Sequence, residues 1–385
     1  MTVAGFMDLA LYDPELGYYA RAGRRSGRAG DFFTSVDVGP LFGELLAVQI
    51  AEMAQLLRKS PAGRSAAPVS PNNPDRNSGF DLVEAGAGDG RLSADILSAL
   101  REQDAGAYAN LRLHLVEASA AARAAQRATL EHASVGRGME REGFSSTTSL
   151  PDSFEGALIA NELLDALPVH QVVMRDAGLY EVFITVKAGE LRLVEMPPST
   201  PALQQYLDRL NVRLEPGWRV EINLRAVEWV RDAARCLRRG FIVLIDYGHE
   251  AGDLYSVSHS SGTLTTFRGH TSCGPEHGGA PPSWLANPGA QDITAHVDFT
   301  SIRLAAEEAG LTTIALLDQT YFLLGLVASR ERDAPRESHY AAARGAALKT
   351  LVMPGGLGST LKVLILGRDV GVPVLRGCSF KIRMT

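Results

Sequence analysis

The stretch Phe80-Asp-Leu-Val-Glu-Ala-Gly-Ala-Gly-Asp-Gly-Arg-Leu92 decides how the rest of the chain is read. Phe80 to Val83 is a short apolar run, a glycine-rich turn follows, and then Leu92, Ile96, Leu97 and Leu100 recur at the spacing of one helix face. A strand that enters a helix through glycines opens a βαβ unit. Glycine has no β-carbon, so the backbone of such a turn can lie directly against a ligand.

The pattern repeats outward. Leu111 to Val116 reads as a second strand ending on Glu117, with an Ala/Arg-rich helix after it, and Ala157-Leu-Ile-Ala160 as a third ending on Asn161. Upstream, Leu41 to Leu57 keeps apolar residues at helical period. Residues 169–195 alternate apolar and polar (Val169, Val172, Tyr180, Val182, Ile184, Val186), the pattern of antiparallel strands. A helix over about 223–239 leads into the strand Phe241 to Ile245, ending at Asp246, and Leu361 to Leu366 closes the alternation. The fold expected is α/β: a Rossmann-like, doubly wound sheet with an N-terminal helical cap and an inserted β/irregular accessory region. The expected organisation is a cap over 1–59, a flexible Pro/Ser/Asn/Gly linker over 60–79, and a ligand-binding domain over 80–385. Accessory insertions fall at about 169–220 and 250–290, the latter rich in Gly, Ser, His and Pro and expected to be irregular.

Composition narrows the function. The chain has 385 residues, 45% of them hydrophobic, enough for one large domain with an accessory lobe or for two domains. Net charge is −6 with both signs interspersed, and the one arginine-rich segment, 21–28, carries no interleaved aromatics. Nucleic acid is therefore not an expected partner. No apolar run is long enough to span a membrane, and the N-terminus lacks the basic and apolar regions of a signal peptide. Three widely spaced cysteines, Cys236, Cys273 and Cys378, form no framework and suit a reducing compartment, so the cytoplasm is the expected location.

Ligands of doubly wound sheets bind at the carboxyl ends of the strands, and three of those ends are polar here: Glu84 to Gly90, Glu117 and Asn161. Gly86-Ala-Gly88-Asp-Gly90 is G-x-G-x-G, one residue short of the dinucleotide fingerprint, and no phosphate-loop Lys follows. Glu84 and Asp89 put negative charge where a pyrophosphate would sit, but the same charge suits the ammonium and sulfonium of S-adenosylmethionine (SAM). Glu117 stands where an acid accepts hydrogen bonds from ribose hydroxyls. The expected cofactor is SAM.

Asn161-Glu-Leu-Leu-Asp-Ala-Leu-Pro168 then reads as a loop facing the substrate, with Glu162 or Asp165 able to pair with a cationic acceptor. The alternative is a helix N-cap at Asn161 with early acids favouring the dipole. His270, Cys273 and His277 match no structural zinc spacing, so no metal is expected, and His249 alone reads as structural.

Taken in order, Leu11-Tyr-Asp-Pro-Glu-Leu-Gly-Tyr-Tyr19, Gly30-Asp-Phe-Phe-Thr-Ser35, Phe42-Gly-Glu-Leu45, Val83 to Gly90, Ala160 to His170, Asp246-Tyr-Gly-His249 and Asp292 to Phe299 resemble the MidA-like methyltransferases over about residues 5–370. The resemblance implies a class I SAM-dependent methyltransferase whose acceptor is a protein arginine, with a role in respiratory complex I assembly. It places Gly86, Gly88 and Gly90 in the SAM pocket, Glu117 on the ribose, and Asn161 and Glu162 on the acceptor side. It also implies that Gly30, Asp31, Thr34 and Ser35 close over the cofactor from the cap. Two other functions fit the same turn, a small-molecule methyltransferase and a non-catalytic SAM-binding assembly factor; the glycine spacing disfavours a nicotinamide oxidoreductase.

Overall fold

A computed structural model describes residues 1–20, 27, 30–31, 33–59, 79–133, 135, 143–268, 271–274, 282–333, 344–353 and 360–380. The expected linker thus lies outside the described residues, Gly79 excepted. The chain forms two compact units: 35–161, 233–245 and 309–385 make up a sheet unit, and 1–34, 162–232 and 246–308 a cavity unit. This division differs from the expected one, because residues 1–34 and 35–59 fall in different units.

Numbered along the chain, the sheet unit contains β1 (Phe80–Ala85), β2 (Leu111–Val116), β3 (Phe144–Thr147), β4 (Phe154–Asn161), β14 (Thr312–Asp318), β15 (Leu361–Arg368) and most of β9 (Leu237–His249). Their order is β14-β15-β9-β4-β1-β2-β3. The pairs β1/β2, β1/β4, β2/β3 and β4/β9 are parallel, whereas β14/β15 is antiparallel. All six residues of β1 are buried, as expected of a central strand covered on both faces. The helices are α2 (Leu41–Lys59), α3 (Arg91–Gln103), α4 (Ala105–Ala109), α5 (Ala120–His132), α10 (Gln319–Asp333) and α11 (Gly345–Val352). Leu92, Ile96, Leu97 and Leu100 of α3 are all buried, so the sequence periodicity marks the face that packs. Each such side chain contributes about 1.5–3 kcal/mol by leaving water. These features are those of the Rossmann-like sheet expected from the sequence.

The register brings the strand ends level. Ala85 pairs with Val116 on one side and Ala160 on the other, so Gly86, Glu117 and Asn161 are each the next residue along.

The cavity unit starts with α1 (Val3–Tyr12), whose first turn is capped by Thr2 Oγ1 accepting from the Gly5 N–H at 3.0 Å. Strands β5 (His170–Arg175), β6 (Gly178–Lys187), β7 (Glu190–Met196) and β8 (Arg219–Ile222) form an antiparallel sheet of order β7-β6-β5-β8, matching the alternation read over 169–195. Helices α6 (Ala202–Arg209), α7 (Leu224–Cys236, of which 233–236 belong to the sheet unit), α8 (Ala251–Leu254) and α9 (Phe299–Glu308) follow, α7 ending three residues earlier than periodicity suggested because the chain is already extended at Leu237. The described residues of 250–290 include more regular structure than expected. β10 (Thr265–Arg268) pairs with the neighbouring β11 (Thr271–Cys273) and also with β12 (Asp292–Thr294), the second partnership too distant in sequence for local composition to reveal. A two-residue strand, β13 (Val297–Asp298), runs parallel to the end of β9. The three cysteines are free thiols, and no described helix is long and apolar enough to cross a membrane.

Candidate active site

In the sheet unit the turn after β1 is built on left-handed backbone: φ is +71° at Gly86, +52° at Gly88 and +85° at Gly90. The N–H groups of Gly86 and Ala87 donate to the Val116 carbonyl at 2.9 and 3.1 Å, tying the turn to the neighbouring strand end. A β-carbon added at Gly88 would meet nothing within 4 Å. Gly88 therefore presents bare backbone to open space, the cradle that a nucleoside-sized ligand requires.

The acids divide by role. Glu117 accepts from the Gly88 N–H at 2.9 Å through one oxygen and from the Ser119 N–H at 2.7 Å through the other. Each oxygen keeps a further lone pair. Glu84 lies beneath the turn, 5% exposed, accepting from both the backbone N–H and the hydroxyl of Ser93 in the first turn of α3. It thereby satisfies one of the orphan N–H groups of that helix. Burial, opposed by the Ser93 hydrogen bonds, raises its pKa to about 8. Asp89 receives Arg91 Nε at 3.2 Å, while Arg91 Nη1 reaches Asp37 at 2.8 Å. Ser35 is fully buried and exchanges hydrogen bonds with Gln319, and so supports the turn that precedes α2.

The cavity unit holds a cavity of about 280 Å³ lined by Tyr19, Asp31, Phe33, Glu162, Asp165 and Tyr247, with Asp292 and His296 on its wall. Sequence reading placed Glu162 and Asp165 on the acceptor side and assigned Asp31 to the cofactor; all three line this one cavity. That reading missed the rings and Asp292, which the fold gathers from positions 19, 33, 247 and 292. Residues 162–168 are turns rather than a helix, so the helix-capping alternative for Asn161 does not hold. The turn is held by Asp246, which accepts from the N–H groups of Leu163 and Leu164 at 3.1 and 2.7 Å, and by Asn223, whose amide donates to the Leu164 and Leu167 carbonyls. These bonds hold Glu162 at φ +53°, a left-handed conformation that costs a non-glycine residue about 1–3 kcal/mol and clusters at functional sites.

The cavity is acidic and aromatic together. Tyr19 donates to Asp292 at 2.9 Å and Tyr18 to Asp31 at 2.9 Å. Asp165 is buried, and desolvation, then the charges of Asp246, Glu162 and Asp292, drive its pKa well up. Asp246 is raised to about 7 by burial, against backbone hydrogen bonds that favour its charge. His296 is pushed down to about 4 by burial and by the neighbouring His249 and His259. Gly30 donates its N–H to the Gly27 carbonyl, and Thr34 is buried; the two flank Asp31 and Phe33.

A level row of parallel strand ends, an open glycine turn and an acid beyond β2 define a nucleoside-binding α/β enzyme. A family model of S-adenosyl-L-methionine-dependent methyltransferases matches residues 45–317, and the chain belongs to that family. It is 30% identical over 344 residues to the protein arginine methyltransferase NDUFAF7, mitochondrial, of Mus musculus, covering 84% of this chain and 70% of the mouse protein. Against the Drosophila melanogaster NDUFAF7 homolog it is 29% identical over 338 residues, with 80% and 67% covered. A crystal structure from Burkholderia thailandensis, bound to S-adenosyl-homocysteine, superposes with a TM-score of 0.81 at 26% identity over 98% of this chain and 90% of that one. The protein is a SAM-dependent methyltransferase, and the MidA-like resemblance is upheld.

The cytoplasmic location expected from the cysteines is corrected by the same relatives, which are named as mitochondrial. Free thiols report only a reducing environment, which more than one compartment provides.

Proposed function

We propose that the methyl acceptor is an arginine side chain of a protein substrate, bound as guanidinium in the cavity that begins at Glu162. The observation that carries this reading is the pairing of Asp31, Glu162, Asp165 and Asp292 with the rings of Tyr19, Phe33 and Tyr247 in one cavity. Carboxylates pair with the planar N–H fork of a guanidinium, and aromatic faces stack on it. The NDUFAF7 relatives, named protein arginine methyltransferases, support the same acceptor. The complex I connection implied by the family resemblance would place that arginine in a respiratory subunit.

Gly86, Gly88, Gly90 and Glu117 hold SAM in this reading, with Asp89 and Asn161 at the rim and Glu84 bracing the turn from below. When bound, SAM supplies an electrophilic methyl group on a sulfonium. Glu162 orients the guanidinium and accepts the proton that the attacking nitrogen releases as the new N–C bond forms and the S–C bond breaks. Burial and the neighbouring acids raise the pKa of Asp165, and the positive charge of a guanidinium would offset that cost and favour its carboxylate. Alignment of the nucleophile is the main contribution required, and orientation can lower a barrier by about 7–11 kcal/mol.

Methyl-labelled SAM and the purified protein, added to a lysate that lacks the protein, should label arginine in a protein. Label confined to small molecules overturns this acceptor. Glu162→Gln keeps the shape and removes the charge. SAM affinity should change little, while single-turnover transfer falls roughly a hundredfold, a loss of about 2.7 kcal/mol of transition-state stabilisation. Normal transfer by this variant would remove Glu162 from the mechanism.

A further inference from the structure

We infer that His249, His259 and His296 form a binding site for a divalent transition-metal ion of the zinc type. Each contributes one ring nitrogen, and the three atoms lie within 4.8 Å of one another. The ring centroids are 4.8 Å apart for His249 and His259, 5.3 Å for His249 and His296, and 5.9 Å for His259 and His296. Tetrahedral ligands at zinc–nitrogen distances stand about 3.3–3.5 Å apart, so modest side-chain rotation closes the set around an ion. Imidazole is a preferred ligand of zinc and its neighbours in the first transition row.

The backbone already fixes the three positions. His249 ends β9, where its register partner is Asp298 of β13, and His296 immediately precedes β13. The His296 N–H donates to Thr263 Oγ1 at 3.0 Å. His259 closes the short 3-10 turn Val257–His259, its carbonyl accepting from the Gly262 N–H at 2.8 Å, and the Ser260 carbonyl accepts from the Arg219 N–H of β8 at 2.9 Å.

Two side-chain observations point to a ligand. His259 Nδ1 lies 3.0 Å from the Asp253 carbonyl, which can only accept, so Nδ1 carries the proton and Nε2 keeps its lone pair. A backbone carbonyl on the second ring nitrogen is the usual support of a metal-bound histidine. His296 Nδ1 is buried with no hydrogen-bond partner, an omission that a native structure has to account for and that an ion would supply. The adjacent Glu221 is held by other partners, accepting from Gln171 Nε2 at 2.9 Å through one oxygen and from the Thr263 N–H at 2.7 Å and hydroxyl at 3.1 Å through the other, and the ligand cluster is the three histidines. A small cavity of about 10 Å³, lined by His259, His296 and Glu221, leaves room for roughly one water to complete the coordination. His296 also lines the larger cavity, so the ion would stiffen one wall of the acceptor site.

The untagged full-length protein, stripped with a chelator and dialysed, should bind one Co2+ per chain with the visible absorption of nitrogen-ligated, low-coordinate cobalt. Zn2+ should displace it and raise Tm. His259→Gln, outside the acceptor cavity, should weaken Co2+ binding by roughly a hundredfold or more, since even second-sphere changes cost ten- to hundredfold. Retained SAM binding shows that the variant is folded; if it is not, His249→Gln takes its place. Absence of a stoichiometric cobalt spectrum in the unmodified protein overturns the proposal without recourse to any variant. Unchanged affinity in a folded variant shows cobalt bound elsewhere and overturns it equally.

Discussion

A valine at position 88 tests the turn at its most sensitive point. Beyond its chain neighbours, nothing in the protein lies within 4 Å of a β-carbon there, so the side chain starts into open space, which in this reading the cofactor needs. It also inherits φ +52°, a strain of about 1–3 kcal/mol. Gly88→Val should therefore abolish SAM binding by calorimetry while lowering Tm only moderately. A variant that binds SAM normally would place the pocket elsewhere. Glu162 obeys the same geometry with the opposite residue type: a charged side chain occupies left-handed backbone because Asp246 and Asn223 anchor the turn that follows it. Glycine spacing made the first site legible in the sequence. Nothing local announced the second conformation, since the residues that impose it are some 60 to 80 positions downstream.

At the scale of elements, β1 and α3 are joined by more than the turn. Glu84 reaches from the end of the strand to the start of the helix through Ser93, and the bond is made in a buried place that disfavours its charge. The linkage follows from the sign of that shift. The folded pKa, about 8, lies above that of an unfolded glutamate, so from about pH 4.5 to 8 the unfolded chain releases a proton that the native one retains. Native stability from this group is therefore greatest at low pH and declines as pH rises across that window. Glu84→Gln mimics the protonated form, so the fall in Tm between pH 5 and pH 8 should be smaller in the variant than in the parent. Equal falls would show that Glu84 is ionised in the native protein. The sequence identified Glu84 as an acid at the turn, but its bracing of the helix became visible only when Ser93 was brought to it.

For the whole molecule, the sheet unit is assembled from three separate stretches of chain and the cavity unit from three others. A ligand bound only by the native state stabilises it by mass action, about 2.7 kcal/mol at a concentration one hundred times its Kd. SAM and S-adenosyl-homocysteine should both shift the denaturant midpoint accordingly, and NADH should not. Amide exchange should slow most around residues 84–93 and 117–126, where the Gly88 N–H donates to Glu117 and the Gly88 carbonyl accepts from the Gln126 side chain. Protection by NADH in place of SAM would contradict the reading of the glycine turn.

The sequence alone determined the parallel sheet, the glycine turn, Glu117 and the loop at Asn161, because each is written within one strand–turn–helix segment and local periodicity suffices to read it. It also determined the antiparallel strands over 169–195, whose two-residue alternation is equally local. Tertiary structure alone decided the rest. The strand pairing of 265–268 with 292–294, the gathering of Tyr19, Asp31, Tyr247 and Asp292 around Glu162, and the meeting of His249, His259 and His296 all join residues far apart in the chain. Hydrophobic burial and backbone hydrogen bonding place such residues together without leaving a spacing in the sequence.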